Sequence, residues 1–278
     1  MNPYNINNVA ELKSTAVEIR KDIIRMICAA GSGHTGGSIG LADIFTALYF
    51  NVISYNPKNP HWEDRDRLIL SIGHVAPVLY ATLAHAGFFN KEELLTLRKL
   101  GSRLQGHPSK DTGLPGIEIS TGSLGQGLSV TVGMALAAKA DKKKHRIYSI
   151  HGDGELQEGS IWEAAMSASF YKLNNITAII DRNNCQIDGR TSDVMELEPL
   201  DEKWRAFGWD VMECNGHNFT EIIKSCNYAM KTVFKPTVII AKTKMGKGIK
   251  SIEDDFHWHG KAPTPEEAEK FIKEIGEG

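Results

Sequence analysis

The chain has few cysteines, no long apolar run and almost no net charge, and each shortage narrows what it can be. Cys28, Cys185, Cys214 and Cys226 are its only cysteines; they form no Cys-X-X-Cys pair and suggest no disulfide framework. No apolar stretch approaches the roughly 20 residues that span a bilayer, which argues against a membrane role. The N-terminus, MNPYNINNVAELKST, lacks the charged-then-apolar pattern of a signal peptide, so the cytoplasm is the default location. A formal charge of −2 gives no electrostatic case for binding nucleic acid. Internal repeats, low-complexity tracts and obvious linkers are also absent from the sequence. What remains, 41% hydrophobic and 24% charged residues in 278, is the composition of a globular protein with one large α/β domain or two smaller ones.

The informative stretch runs from His151 to Gly189. It opens with Gly152-Asp153-Gly154 after an apolar run and closes on Asn183-Asn184 after another. Asp153 and Asn183 lie thirty positions apart, about the length of one βαβ unit. Residues 146–150 and 176–181 have the pattern of buried parallel strands, and 159–172 that of the crossover helix. Such a unit delivers both strand ends to one edge of a parallel sheet, where open α/β folds bind ligands. Gly152 and Gly154 allow close backbone approach to a charged group, and the helix that follows favours anions at its N-terminus. Asp153 and Asn183 offer hard oxygen donors, suited to Mg²⁺ or Ca²⁺ rather than zinc. A divalent ion beside a glycine turn is what a bound diphosphate needs. A Gly-Asp-Gly alone would equally be a tight turn; the second half at βαβ spacing reverses that balance.

The GDG–NN pair resembles the thiamine diphosphate motif, and the surrounding words resemble transketolase in particular. They are SGHTGGSIGLAD at 32–43, DRLILSIGHVAPVLY at 66–80, GHP at 106–108, TGSLGQGLSVTVG at 121–133 and HGKAP at 259–263. All run in family order across nearly the whole chain. The resemblance implies an α/β thiamine diphosphate-binding fold, a parallel sheet with helices on both faces. It covers only the diphosphate-binding part, so 1–278 resembles the N-terminal subunit of a split transketolase. The pyrimidine-binding and C-terminal domains would then stand on a separate chain. The tail PTPEEAEKFIKEIGEG supports this expectation, because Pro265 can open a helix with acidic residues first and Lys270 and Lys273 late.

By the same resemblance, His34, His74, His107 and His259 are the catalytic imidazoles, each beside glycine or in a glycine-rich motif. Imidazole can donate to a developing alkoxide and accept a proton near neutral pH. His34 would contact the sugar near its carbonyl, His74 cofactor and substrate, His107 the substrate oxygen, and His259 the diphosphate or donor sugar. Gly122, Ser123 and Leu124 match the stretch that lines the cofactor, with Gly152, Asp153, Gly154 and Asn183; Ser123 could instead simply cap a helix. The metal ligands would be Asp153, Asn183 and the backbone carbonyl of Cys185, holding Mg²⁺, with Ca²⁺ or Mn²⁺ as substitutes. Glu158 matches a glutamate near the intersubunit contact, or is a first-turn helix acid. His151, His217 and His257 lack such clear matches, and His61, His85 and His145 are expected at the surface.

The implied reaction moves a two-carbon ketol unit from a ketose phosphate to an aldose phosphate. The glutamate that activates the cofactor's aminopyrimidine and most sugar-phosphate arginines would come from a partner subunit, so activity is expected only in an assembly, two copies of each. Thr35 and Ile72 depart from the family pattern and leave the sugar open. A 1-deoxyxylulose-phosphate synthase, a 2-oxoacid dehydrogenase E1 component and a non-catalytic cofactor- or nucleotide-binding regulator are the rivals. The first two fit TGSLGQG and GHP less well, and a regulator would not need every site group.

Elsewhere, helices are expected over 8–30, 41–51, 91–98, 123–140 and 220–232, strands over 68–71, 209–214 and 237–242, and a loop over 31–37. The basic run 142–146 reads as a solvated loop. KMGKGIK at 244–250 lacks phosphate-loop spacing but could contact the diphosphate or close over the site.

Overall fold

In the computed structural model, residues 2–276 are described. Seven strands form: β1 (Arg67–Leu70), β2 (Ile147–Gly152), β3 (Ile176–Arg182), β4 (Cys185–Gln186), β5 (Gly189–Arg190), β6 (Asp210–Asn215) and β7 (Thr237–Lys242). Five of them make one parallel sheet in the order β1-β2-β3-β7-β6, while β4 and β5 pair as a short hairpin just beyond β3. The helices are α1 (Val9–Ala30), α2 (Thr35–Gly40), α3 (Ala42–Ala47), α4 (Ala76–His85), α5 (Gln126–Ala140), α6 (Gly159–Phe170), α7 (Thr191–Val194), α8 (Leu200–Ala206), α9 (Phe219–Ala229) and α10 (Pro265–Gly276). None is long and apolar enough to cross a membrane among the described residues.

Alternation along each strand divides the core in two. Leu68, Leu70, Tyr148, Ile150, Ile179 and Ile239 face one way, into a cluster with α1, α3, α4, α9 and α10. Ile69, Ile147, Ala178, Ile180, Val238 and Ile240 face the other, against α5, α6 and α8. Covered on both sides, β1, β2, β3 and β7 have apolar centres, as parallel strands between helices do, with their polar residues towards the strand ends and few within. The α/β fold with helices on both faces is therefore as expected.

Several local expectations change. The helix expected over 8–30 is α1, with the Asn8 side chain accepting from the Ala10 N–H at 2.9 Å and Gly31 ending it in the left-handed region at φ 64. The loop expected over 31–37 becomes helical directly after His34, and α2 is wholly buried. Its small residues permit this: a side chain at Gly36 would fall 2.4 Å from Met245 Cγ, and one at Gly40 would fall 2.8 Å from the Lys244 carbonyl. The helix expected over 41–51 is α3 with a wider π turn over Leu48–Val52. Residues 91–96 form a 3₁₀ segment, and Arg98 turns left-handed at φ 59. The helix expected from Ser123 begins at Gln126, because Gly125 at φ 83 is its N-cap; Ser123 caps nothing. α4, which follows His74, carried no expectation: its first three residues, Ala-Pro-Val, give Pro77 the N-terminal place it favours. The expected tail helix is α10; residues 277 and 278 lie outside the described part.

Candidate active site

The register of the central strands builds the site. Gly152 pairs with Asp181, so Asp153 and Asn183 leave the sheet side by side at the carboxyl edge. Asp153 is buried, and burial raises its carboxyl above the usual range, opposed by Asn184 N–H and Arg182. Its Oδ2 accepts from the Asn184 amide at 2.6 Å and from Arg182 Nη1 at 3.1 Å. Among the described residues Oδ1 accepts only from the neighbouring Gly154 N–H, at 2.8 Å. One oxygen is anchored and the other remains for a cation, the division of labour that groups behind a metal ligand impose. Asn183 is oriented by donating from Nδ2 to Asp181 Oδ2 at 2.8 Å, while its Oδ1 accepts from Cys185 N–H at 2.8 Å. The Cys185 thiol accepts from Arg190 Nη1 at 3.2 Å and is turned to that contact. Asp153 and Asn183 are thus brought together at one sheet edge, and their side-chain oxygens are hard donors of the kind that suits Mg²⁺.

Next to this pair stands a group of imidazoles. Ring centroids lie 4.9 Å apart for His34 and His74, 5.1 Å for His74 and His259, and 5.7 Å for His34 and His259. They come from the turn before α2, the end of β1 and the segment after the Phe256–Trp258 turn. Burial, reinforced by His259, Arg98 and His107, lowers His34 to about 4. Burial and the neighbouring imidazoles lower His74 to about 3, and burial lowers His259 and His107 as well. All four are therefore neutral near pH 7, each ring able to donate from one nitrogen and accept on the other. Among the described residues, Nδ1 of His34 and of His259 is buried without a hydrogen-bond partner. Native proteins rarely leave such atoms unpaired, and here both belong to rings of one cluster.

Glycines let the turns close on it. A Cβ at Gly73 would fall 2.8 Å from Gly122 Cα, and one at Gly122 (φ 143) would fall 2.8 Å from His107 Cδ2. That chain of contacts seats His107 beside the turn carrying His74. The Gly122 turn leaves Ser123 and Leu124 exposed to whatever lies above. Gly154 abuts Gln186, and Gly260 lies between Ile187 and His34, joining the Gly-Asp-Gly turn to the imidazoles. The unpaired nitrogens and glycine cradles fit a bound diphosphate cofactor.

Glu158 is exposed at the N-cap of α6, makes no cap hydrogen bond and lies against Gly125, one place before the first turn expected for it. The 244–250 segment packs on α2, Gly246 N–H donating to Gly36 O at 2.9 Å. His85 is not at the surface: its ring binds Asp22 at 2.8 Å and Lys91 at 3.2 Å. His145 is half-buried too. Two residues, Arg98 and Glu155, are not among the expected site groups, and His151 is expected there without a clear match. Arg98, nine positions before His107, directs its charge at His34 and His107. His151 and Glu155 are fully enclosed and bound to each other at 3.1 Å. The i, i+4 spacing of that pair was the available signal.

Residues 12–277 match the family model described as transketolase, thiamine diphosphate binding domain. The chain is 44% identical to one subunit of the apulose-4-phosphate transketolase of Phocaeicola vulgatus, covering 97% of this chain and 95% of that protein. It is 43% identical to the 6-deoxy-6-sulfo-D-fructose transketolase subunit SqwG of Clostridium sp. (strain MSTE9), covering 95% and 96%. Against human transketolase, 42% identity covers 95% of this chain but 42% of that one. The crystal structure of transketolase from Campylobacter jejuni superposes with a TM-score of 0.91 at 38% identity, over 97% of this chain and 43% of that chain.

Proposed function

The chain belongs to the transketolase family and corresponds to its thiamine diphosphate-binding domain, and from that premise we propose that it is the N-terminal subunit of a split transketolase. The observation that carries the reading is the convergence of neutral, unpaired imidazoles with the Asp153–Asn183 pair on one sheet edge. The cofactor, when bound, supplies the carbanion chemistry that cleaves and forms the carbon–carbon bond. Asp153 Oδ1, Asn183 and the Cys185 carbonyl would hold Mg²⁺, and the turns at Gly122–Leu124 and Gly152–Gly154 would admit the diphosphate. His34, His74, His107 and His259 would exchange protons with the donor carbonyl and hydroxyl oxygens. As neutral rings each would offer one nitrogen that donates and one that accepts a hydrogen bond.

The products would be a shortened aldose and an acceptor lengthened by two carbons. A partner subunit would bring the pyrimidine-binding and C-terminal domains, two copies of each chain forming the assembly. The relatives named as subunits are matched over almost their whole length, whereas the human enzyme is matched over less than half, which supports that division. Donors to try are common ketose phosphates, apulose 4-phosphate and 6-deoxy-6-sulfofructose, the last two from the relatives' names.

The test is ketol transfer by the purified chain, alone and with its partner subunit, in thiamine diphosphate and Mg²⁺. Turnover only in the mixture, abolished by Asp153→Ala, is expected. Turnover by the chain alone would overturn the split assignment. Metal-dependent cofactor binding with no turnover of any of these ketoses would overturn ketol transfer.

A further inference from the structure

Glu155 lies inside the site's scaffold and no step above uses it. Its side chain is fully buried, and its two oxygens serve different turns. Oε1 accepts from the Gly125 N–H at 2.9 Å and from the Ser71 hydroxyl. Oε2 accepts from His151 Nδ1 at 3.1 Å and from the Gly152 N–H at 3.3 Å. The Ser71 hydroxyl in turn accepts from the Gly127 N–H at 3.2 Å, and His151 Nε2 is bonded to Ser149 Oγ at 2.9 Å. One carboxylate therefore ties the start of α5, and with it the Gly122–Leu124 turn, to the strand end that presents Asp153.

We propose that Glu155 is the positioning residue that sets the distance between the Gly122–Leu124 turn and the Gly152–Gly154 turn, and so governs affinity for the diphosphate end of the cofactor. This rests on the cofactor-binding reading above. Gly125 has no side chain with which to cap α5, so the Ser71 hydroxyl accepts from the Gly127 N–H in that place, and the Glu155 carboxylate holds that hydroxyl and takes the N–H of Gly125 itself. An anion there is favoured by the free N–H groups and the helix dipole. A neutral amide cannot replace it, since one of its two ends would set an N–H against the N–H of Gly125 or Gly152.

The experiment is thiamine diphosphate binding in Mg²⁺, by titration calorimetry on the full chain with its partner subunit, for wild type, Glu155→Gln and Ser71→Ala. Melting temperatures and steady-state kinetics are measured on the same samples. Glu155→Gln should weaken cofactor binding about 10–100-fold, as loss of a group behind a metal ligand does. Its apparent KM for cofactor should rise by more than kcat falls. Ser71→Ala, which removes one of the four donors, should shift affinity in the same direction by less, and it carries the test if Glu155→Gln does not fold. Unchanged affinity in the folded variants overturns the proposal. So does a fall in kcat at constant affinity, or a loss of binding that only tracks the folded fraction. Wild type that binds no cofactor overturns the functional reading itself, a separate failure.

Discussion

Two sets of enclosed histidines occupy this molecule, and they differ in partners rather than in burial. His151, His217 and His85 have both ring nitrogens engaged. His217 Nδ1 meets Asp43 at 2.8 Å, and its Nε2 accepts from the Lys244 N–H at 2.8 Å, which places the proton on Nδ1. His34, His74 and His259 instead cluster with one another, and Nδ1 of His34 and His259 is unpaired. An unpaired buried polar atom costs about 1–3 kcal/mol. A sequence that accepts that cost twice at one place leaves donors and acceptors for a molecule that is not part of the chain. His145 Nδ1 also lacks a partner, but it stands beside Asp66 and Arg67 rather than among other imidazoles, so isolation rather than convergence describes it. Convergence of unpaired imidazoles is what separates a site from a core.

The sharpest way to break this contrast is His34→Ala. With His34 in proton exchange, ketol transfer by the assembled enzyme should fall about 10²–10⁴-fold. Since its ring makes no hydrogen bond among the described residues, the melting temperature should move by less than about 4 °C. Steady-state rates together with calorimetric melting check both halves. Activity within tenfold of wild type would place His34 among the structural imidazoles.

The mirror experiment is His217→Ala. Its ring holds Asp43, which is enclosed and also bound by Arg20 through two hydrogen bonds of 2.9 and 2.6 Å. Burial would raise the Asp43 carboxyl, but Arg20 and His217 together lower it to about 2. Losing one charge-assisted bond from this set should destabilise the chain by about 1–3 kcal/mol in urea unfolding. Activity per folded molecule should be retained. A loss of activity beyond the folded fraction would give the paired imidazole a part in the site.

Much of the scaffold was legible. The central βαβ unit fell within a residue or two of β2, α6 and β3, and 237–242 coincides with β7. Buried parallel strands announce themselves as short apolar runs bounded by polar turns. α2 did not, because three of its six residues are glycine, and packing against Met245 and Val75 overrides their weak helix propensity. His34, His74 and His259 were named by resemblance to family motifs, and residue chemistry alone could not have separated them from His151, which also adjoins a glycine. Glu155 was passed over because Asp153 and Glu158 drew the acidic readings of the same turn. Its bonds reach Ser71 and Gly125, far away in sequence, and only the fold brings these together. Arg98 is similar: its charge reaches His34 across a stretch that no spacing rule connects.

The smallest effect is a signal that should not move. His34 and His74 are lowered to about 4 and about 3, from an ordinary 6.5. Between those values and 6.5 the unfolded chain binds more protons than the folded one, so these rings contribute stability above pH 6.5 that is lost progressively as the solution is acidified. Asp181 has the opposite sign: burial, with Asp153 adding to it, raises its carboxyl to about 7, so its contribution is lost as pH rises from its ordinary 3.8 towards 7. The two partly cancel in any unfolding curve, and a titration that sees single rings is the better measurement. In the full chain without cofactor, the imidazole carbon-bound proton resonances of His34 and His74 should stay fixed between pH 8 and pH 5. Movement of either with a midpoint above 6 would mean that the ring is solvated or paired with a carboxylate. The contrast between paired and unpaired imidazoles would then fail at its centre.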